Sequence, residues 1–173
     1  MKIIALKGKN GSGKSTVASM LAKKLDEKGI SNKVLSFAEP LKNFMDLVTK
    51  AKREFWEIRK FKEDNRKVIE DFANAIKKCF SFNPFAHQVC IDLDSCYAEE
   101  IQVVIITDLR FESEYSGLYN WLETDDLTIV EIKNKLTDNN PPEYDLDKIL
   151  TDKFINFDST IETQIDTLIK ELL

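Results

Sequence analysis

Glycine is scarce in this chain, at 5 of 173 residues. Histidine occurs once, as His87, which leaves Ser-His-Asp chemistry and histidine-based metal sites little to work with. Its surroundings suit a polar position on a helix. There are three cysteines, Cys79, Cys90 and Cys96, an odd number without CxxC spacing. They argue against a disulfide framework or a zinc site, and for a reducing compartment. No apolar run approaches the roughly 20 residues of a membrane helix. The apolar stretch within residues 1–7 is too short for a secretory signal and reads as a strand. The expected setting is cytoplasmic, with no membrane partner. Hydrophobic residues at 43% and charged residues at 32% exclude a disordered chain, a collagen or a coiled-coil array.

Charge is unevenly spread. Residues 1–91 hold 19 Lys+Arg against 10 Asp+Glu, or +9, and residues 92–173 hold 6 against 20, or −14, giving the net −5. The basic half suits an anionic ligand. The acidic whole, with a pI near 5.1, argues against a nucleic-acid partner and for a small phosphorylated molecule. The most basic stretch is 50–67, where Phe55, Trp56, Ile58 and Phe61 interleave with the cations.

Elements alternate along the chain. Residues 2–7 read as a strand, and helical spacing of Val17, Leu21 and Leu25 follows until Gly29 stops it. Asn32–Phe37 is a second strand. Helices are expected over about 40–51, 65–80 and 84–97, then a buried strand over 102–107 and a helix over 111–122. A fourth strand covers 127–133, a mobile loop 134–150 and a fifth strand 153–157. Ser159 is the expected cap of a last helix. This is an α/β pattern with a parallel, doubly wound sheet. Three helices between strands 2 and 3 make an excursion where a substrate-specific region would sit.

Three of the five glycines crowd into Gly8-Lys9-Asn10-Gly11-Ser12-Gly13-Lys14-Ser15, which matches GxxxxGK[ST]. By chance the pattern arises in on the order of one chain in a hundred of this length. Here it also joins a first strand to a first helix, as a phosphate cradle (P-loop) requires. Glycines let backbone N–H groups turn inward around phosphate oxygens, and the helix N-terminus favours the anion. Lys14 is expected at the β/γ-phosphates and the Ser15 hydroxyl on Mg²⁺. The strand ending in Asp108 would set a carboxylate beside the P-loop, for the metal. Arg110 follows as a cation for the transferring group, or as an ion-pair partner of Glu114. Lys42 after strand 2, with Arg53, Trp56, Arg59, Arg66, Lys77 and Lys78, offers cations and stacking surface to an acceptor.

These stretches together resemble the bacteriophage deoxynucleoside monophosphate kinases, across nearly the whole chain. Gly8 through Ala18 is similar to that family's phosphate loop. Phe37-Ala38-Glu39-Pro40-Leu41-Lys42 resembles its Phe-Ala-x-Pro-Leu-Lys element. Asp108-Leu109-Arg110-Phe111-Glu112-Ser113-Glu114 resembles its Asp-x-Arg-Phe-x-x-Glu element. Asp152 to Ser159 looks like its closing strand and helix start. The resemblance implies a P-loop three-layer sandwich with a five-stranded parallel sheet, a helical monophosphate-binding insertion and a short lid. The implied division is one domain over 1–173, with core at 1–37 and 101–173, acceptor region at 38–97 and lid at 134–150. It implies Mg²⁺-dependent transfer of the ATP γ-phosphoryl group to a deoxynucleoside 5′-monophosphate, in the host cytoplasm if the chain is viral, and leaves room for a homodimer. By position Gly8, Lys9, Asn10, Gly11, Ser12, Gly13, Lys14, Ser15 and Thr16 would take ATP. Lys14, Asp108 and Arg110 would be catalytic, Ser15 and Asp108 would serve the metal, and Lys42, Arg66, Lys77 and Lys78 would face the acceptor. Two departures stand out: Ser15 replaces the family's frequent Asp, and the lid position 133–146 has no Arg, leaving Lys133, Lys135 or Lys148 to serve. Kinases of other small acceptors, such as phosphomevalonate or dephospho-coenzyme A, and a nucleotide-binding module without turnover, are the competing readings.

Overall fold

The computed structural model describes residues 1–49, 59–122, 126–137 and 145–172. Arg53 and Trp56 lie outside the described residues, as do the side chains of Arg59 and Arg66 and residues 138–144 of the expected loop. Among the described residues five strands and six helices follow in the order β1 (Lys2–Lys7), α1 (Lys14–Glu27), β2 (Asn32–Leu35), α2 (Glu39–Thr49), α3 (Arg59–Lys78), α4 (Pro84–Ala98), β3 (Val103–Leu109), α5 (Glu112–Trp121), β4 (Leu127–Lys133), β5 (Lys153–Asn156) and α6 (Ile161–Leu172). The strands form one all-parallel sheet in the order β2-β3-β1-β4-β5. This is the α/β arrangement expected from the sequence.

The pleat of β1 makes the three layers. Ile4 and Leu6 join Val17, Leu21 and Leu25 of α1 and Ile165 and Leu168 of α6 in one core. Ile3 and Ala5 face the other side, against Val89 and Leu93 of α4 and Leu118 of α5. Each such fully buried aliphatic side chain contributes roughly 1.5–3 kcal/mol over exposure. Helix α1 ends as foreseen at Gly29, in the left-handed region at φ 71°, with the Ile30 amide donating to the Leu25 carbonyl at 3.0 Å. Asn83 starts α4: its side chain accepts from the Phe85 and Ala86 amides, with Pro84 following it.

Several boundaries differ from the sequence reading, each for a local reason. Strand β2 stops at Leu35, because Ser36 and Phe37 leave the sheet to form a turn bonded to Asp108. Strand β3 runs on to Leu109. Ala5 pairs with Ile106 and Lys7 with Leu109, so Thr107 and Asp108 together face the single residue Leu6. That bulge re-aims the strand end beside the glycine loop. Helix α3 begins at Arg59, earlier than position 65. Ser159 does not cap α6: the Gln164 amide donates to the Thr160 carbonyl, and Asp158 Oδ1 accepts from the Thr160 amide and hydroxyl. The stretch after β4 is structured where it is described, as two 3-10 turns, Lys135–Thr137 and Leu146–Lys148. Among the described residues no helix is long and apolar enough to cross a membrane.

Candidate active site

The loop between β1 and α1 is held open by left-handed glycines. Gly8, Gly11 and Gly13 have φ of 145°, 77° and 99°. A Cβ on Gly8 would lie 2.6 Å from the Ile132 carbonyl oxygen and 2.9 Å from Ser12 Oγ. A Cβ on Gly13 would collide with the Phe157 ring. Only glycine fits at these two positions. The loop is roofed by two residues from distant segments: Phe157 over Gly13, and Thr137, whose methyl packs where Gly11 would carry a Cβ.

Inside the cradle, Lys14 is 8% exposed and its ammonium donates to the Gly8 and Lys9 carbonyls at 2.7 and 2.8 Å. Ser12 Oγ is buried and has no hydrogen-bond partner. An orphaned buried hydroxyl carries a desolvation penalty of roughly 1–3 kcal/mol that an entering oxygen ligand relieves. A buried cation and an unsatisfied hydroxyl stand at the N-terminus of α1, so the loop suits a polyphosphate. Ser15 and Thr16 are exposed in the first turn of α1, with Asn10 in the preceding turn.

Asp108 sits level with this loop but is largely committed to protein donors. Its carboxylate accepts from Ser36 Oγ at 2.8 Å, the Phe37 amide at 2.8 Å and the Ala38 amide at 3.0 Å. A carboxylate offers about four lone-pair sites. Three are used here, leaving one direction for a metal or its water. Asp108 therefore also caps the turn that leads into α2, a duty the sequence reading did not assign to it. Ser15 and Asp108 are hard oxygen donors of the kind Mg²⁺ takes, with nucleotide phosphates and water completing the set. Among the described residues no group of three or more His, Cys, Asp or Glu forms a metal cluster.

Arg110 leaves β3 two residues later. Its amide donates to Glu114 Oε2 at 2.9 Å and its carbonyl accepts from the Asp145 amide at 3.2 Å. Glu114 thus grips the Arg110 backbone. Burial pushes its carboxyl up to about 7, against the pull of the Arg110 and Phe111 amides.

The acceptor candidates divide. Lys77, near the end of α3, is drawn to the β3–α5 turn: its ammonium lies 3.8 Å from the Phe111 ring centroid and 5.8 Å from that of Phe85. Burial lowers its pKa. Lys78 is exposed. The Arg66 side chain lies outside the described residues. Lys42 lines a cleft of about 220 Å³ with Leu35, Ser36, Glu39, Asp92 and Thr107, beside the turn that binds Asp108. A cleft of about 460 Å³ at the other end of the strands, by Met1, Tyr97 and Gln102, touches none of these residues. Of the lysines expected to serve a lid, Lys133 stacks on Phe154 at 3.9 Å, and Lys148 pairs with Asp145 at 3.0 Å and Glu112 at 3.7 Å. Lys135 stands two residues from Thr137.

Sequence reasoning missed four contributors: Ser36, Phe157, Thr137 and Lys7. Lys7, 3% exposed, donates to the Ile149 and Leu146 carbonyls at 2.6 and 3.0 Å and lies 3.6 Å from Glu131. A lysine closing the apolar run of β1 directly before the glycine loop was the available signal for it.

No family model and no curated protein matches the chain. Solved structures do. A cysteine-to-alanine mutant of the APS kinase CysC of Mycobacterium tuberculosis is 19% identical, with 99% of this chain and 96% of that one covered at a TM-score of 0.54. An unliganded sugar kinase from a Janibacter species is 10% identical, covering 98% and 93% at 0.53. The protein named APE1195 is 16% identical, covering 99% and 94% at 0.53. The chain therefore has the fold of P-loop kinases along its full length.

Proposed function

We propose that the chain is a kinase that moves the ATP γ-phosphoryl group to a deoxynucleoside or ribonucleoside 5′-monophosphate. The observation that carries this reading is the glycine cradle with its orphaned Ser12 hydroxyl and buried Lys14, set level with Asp108 and Arg110. In the reaction an acceptor phosphate oxygen attacks the γ-phosphorus in line, and the bond to the β,γ-bridging oxygen breaks, releasing ADP. The acceptor phosphate is already anionic near neutral pH, so no strong base is required. Positioning and charge neutralisation supply the rate. Lys14 exchanges its two carbonyl partners for phosphate oxygens, and Arg110 spreads charge on the transferred group. Ser15, directly, and Asp108, through its remaining lone pair or a water, would hold Mg²⁺, which neutralises phosphate charge when bound. Lys77, Lys78 and Lys42 serve the acceptor, with Arg66 earlier on α3. Lys135 is the cation of the arginine-free lid.

A coupled assay of ADP release across the deoxynucleoside and ribonucleoside monophosphates tests the reading. Acceleration by at least one of them is expected. Acceleration only by phosphomevalonate or dephospho-coenzyme A would move the chain to another acceptor class. No acceleration by any acceptor would leave a nucleotide-binding module and overturn the proposal.

A further inference from the structure

Under the Arg110–Phe111 turn lies a carboxylate that phosphoryl transfer does not use. Glu114, in the first turn of α5, is 4% exposed. Its Oε2 accepts from the Arg110 amide at 2.9 Å and the Phe111 amide at 3.1 Å. Two consecutive peptide groups therefore converge on one oxygen. The surrounding chain is fixed as well: Leu109 pairs with Lys7 in the sheet, the Arg110 carbonyl takes the Asp145 amide, and Lys77 packs on the Phe111 ring. The charged groups facing Glu114 are Asp108 and Lys77. A Ser, Thr or Asp at position 111 would cap α5 near the surface without burying a charge. The bond from the Phe111 amide is the return bond of a helix cap, but the bond from the Arg110 amide, outside the helix, is not accounted for by that cap.

We propose that Glu114 is a positioning residue: through Oε2 it fixes the Arg110 and Phe111 peptides, so that the Arg110 side chain is presented to the phosphate crevice. This rests on the reading of Arg110 as the cation at the transferred group. The test compares Glu114→Leu, Glu114→Gln, Glu114→Asp and Arg110→Ala in the monophosphate kinase assay, each scored per folded molecule by thermal melt. Glu114→Leu should lower kcat roughly thirtyfold or more, since a misplacement on the order of 1 Å costs that much. KM for ATP and acceptor should stay within about twofold, the pattern of a lost transition-state contact. Glu114→Gln keeps an oxygen that accepts both amides and should recover kcat to within about threefold. Glu114→Asp, one methylene short, should behave like Leu, and decides the matter if the Leu variant does not fold. Exchange of the Arg110 and Phe111 amides should quicken in Leu and stay slow in Gln, whatever the activity.

A Glu114→Leu enzyme with the parent kcat, a loss confined to KM, or a Gln variant no better than Leu would overturn the positioning role. If Arg110→Ala keeps full kcat, the reading of Arg110 is what fails. If Arg110→Ala collapses while Leu and Asp stay normal, only the positioning role fails.

Discussion

Replacing Glu114 by Gln should change how stability depends on pH, and the sign follows from burial. Desolvation raises the Glu114 carboxyl in the folded chain from the ordinary 4.5 to about 7. A carboxyl raised on folding keeps a proton in the native state that the unfolded chain has already released. Its stability contribution is fully present below the unfolded value and is lost as pH rises through the folded one. The gap between 4.5 and about 7 corresponds to about 3 kcal/mol. Glutamine does not titrate. The stability of Glu114→Gln relative to the parent should therefore rise by about 3 kcal/mol between about pH 4.5 and about pH 8, on top of any pH-independent offset. Urea unfolding followed by circular dichroism across that range reads the difference. With a slope of about 2 kcal/mol per molar urea, the parent midpoint should fall behind by roughly 1.5 M at the alkaline end. A difference that stays flat with pH would refute the reasoning, because Glu114 would then ionise like a solvated carboxylate.

Three further outcomes follow from the same geometry. Ser12→Ala removes an unsatisfied buried hydroxyl, so melting should hold or rise by the equivalent of about 1 kcal/mol while KM for ATP increases; a fall in melting would argue that the hydroxyl is already satisfied. Lys14→Met should abolish phosphoryl transfer with an unchanged circular dichroism spectrum, and retained activity would refute its role in the cradle. Gly13→Ala forces a left-handed residue against the Phe157 ring and should cost about 2 kcal/mol or more, with part of the loss recovered when Phe157→Ala is added; full additivity in that double-mutant cycle would show the ring is not the obstacle.

The parts of this site that can be read from sequence are those set by neighbours in the chain. The glycine pattern announces itself because backbone φ and close approach exclude other residues at Gly8 and Gly13. The strands are legible because β1 and β3 are buried on both faces and so run apolar without alternation. What stays hidden is tertiary. Nothing local in the sequence says that Phe157 covers Gly13, or that Thr137 packs on Gly11; both facts need β4 to lie beside β1 and β5 beside β4. The extension of β3 to Leu109 depends on the bulge opposite Leu6, and a bulge is a property of the pair of strands rather than of either.

Asp108 and Glu114 show why motif reading picks out residues without the backbone contacts they make. Both belong to one short element, and both are turned partly toward the protein rather than wholly toward a ligand. Asp108 has three of about four lone-pair directions filled by the β2–α2 turn, so its geometry is fixed before any ligand arrives. Glu114 does for the next turn what Asp108 does for the first, and it does so buried, at a cost of about 3 kcal/mol above pH 7. The two carboxylates therefore set the turns on either side of one strand end, and Arg110 lies between them in sequence. Glu114 fixes that bend with two bonds that a neutral glutamine oxygen can also accept, so what it supplies is the oxygen placed under the Arg110 and Phe111 amides and not the charge.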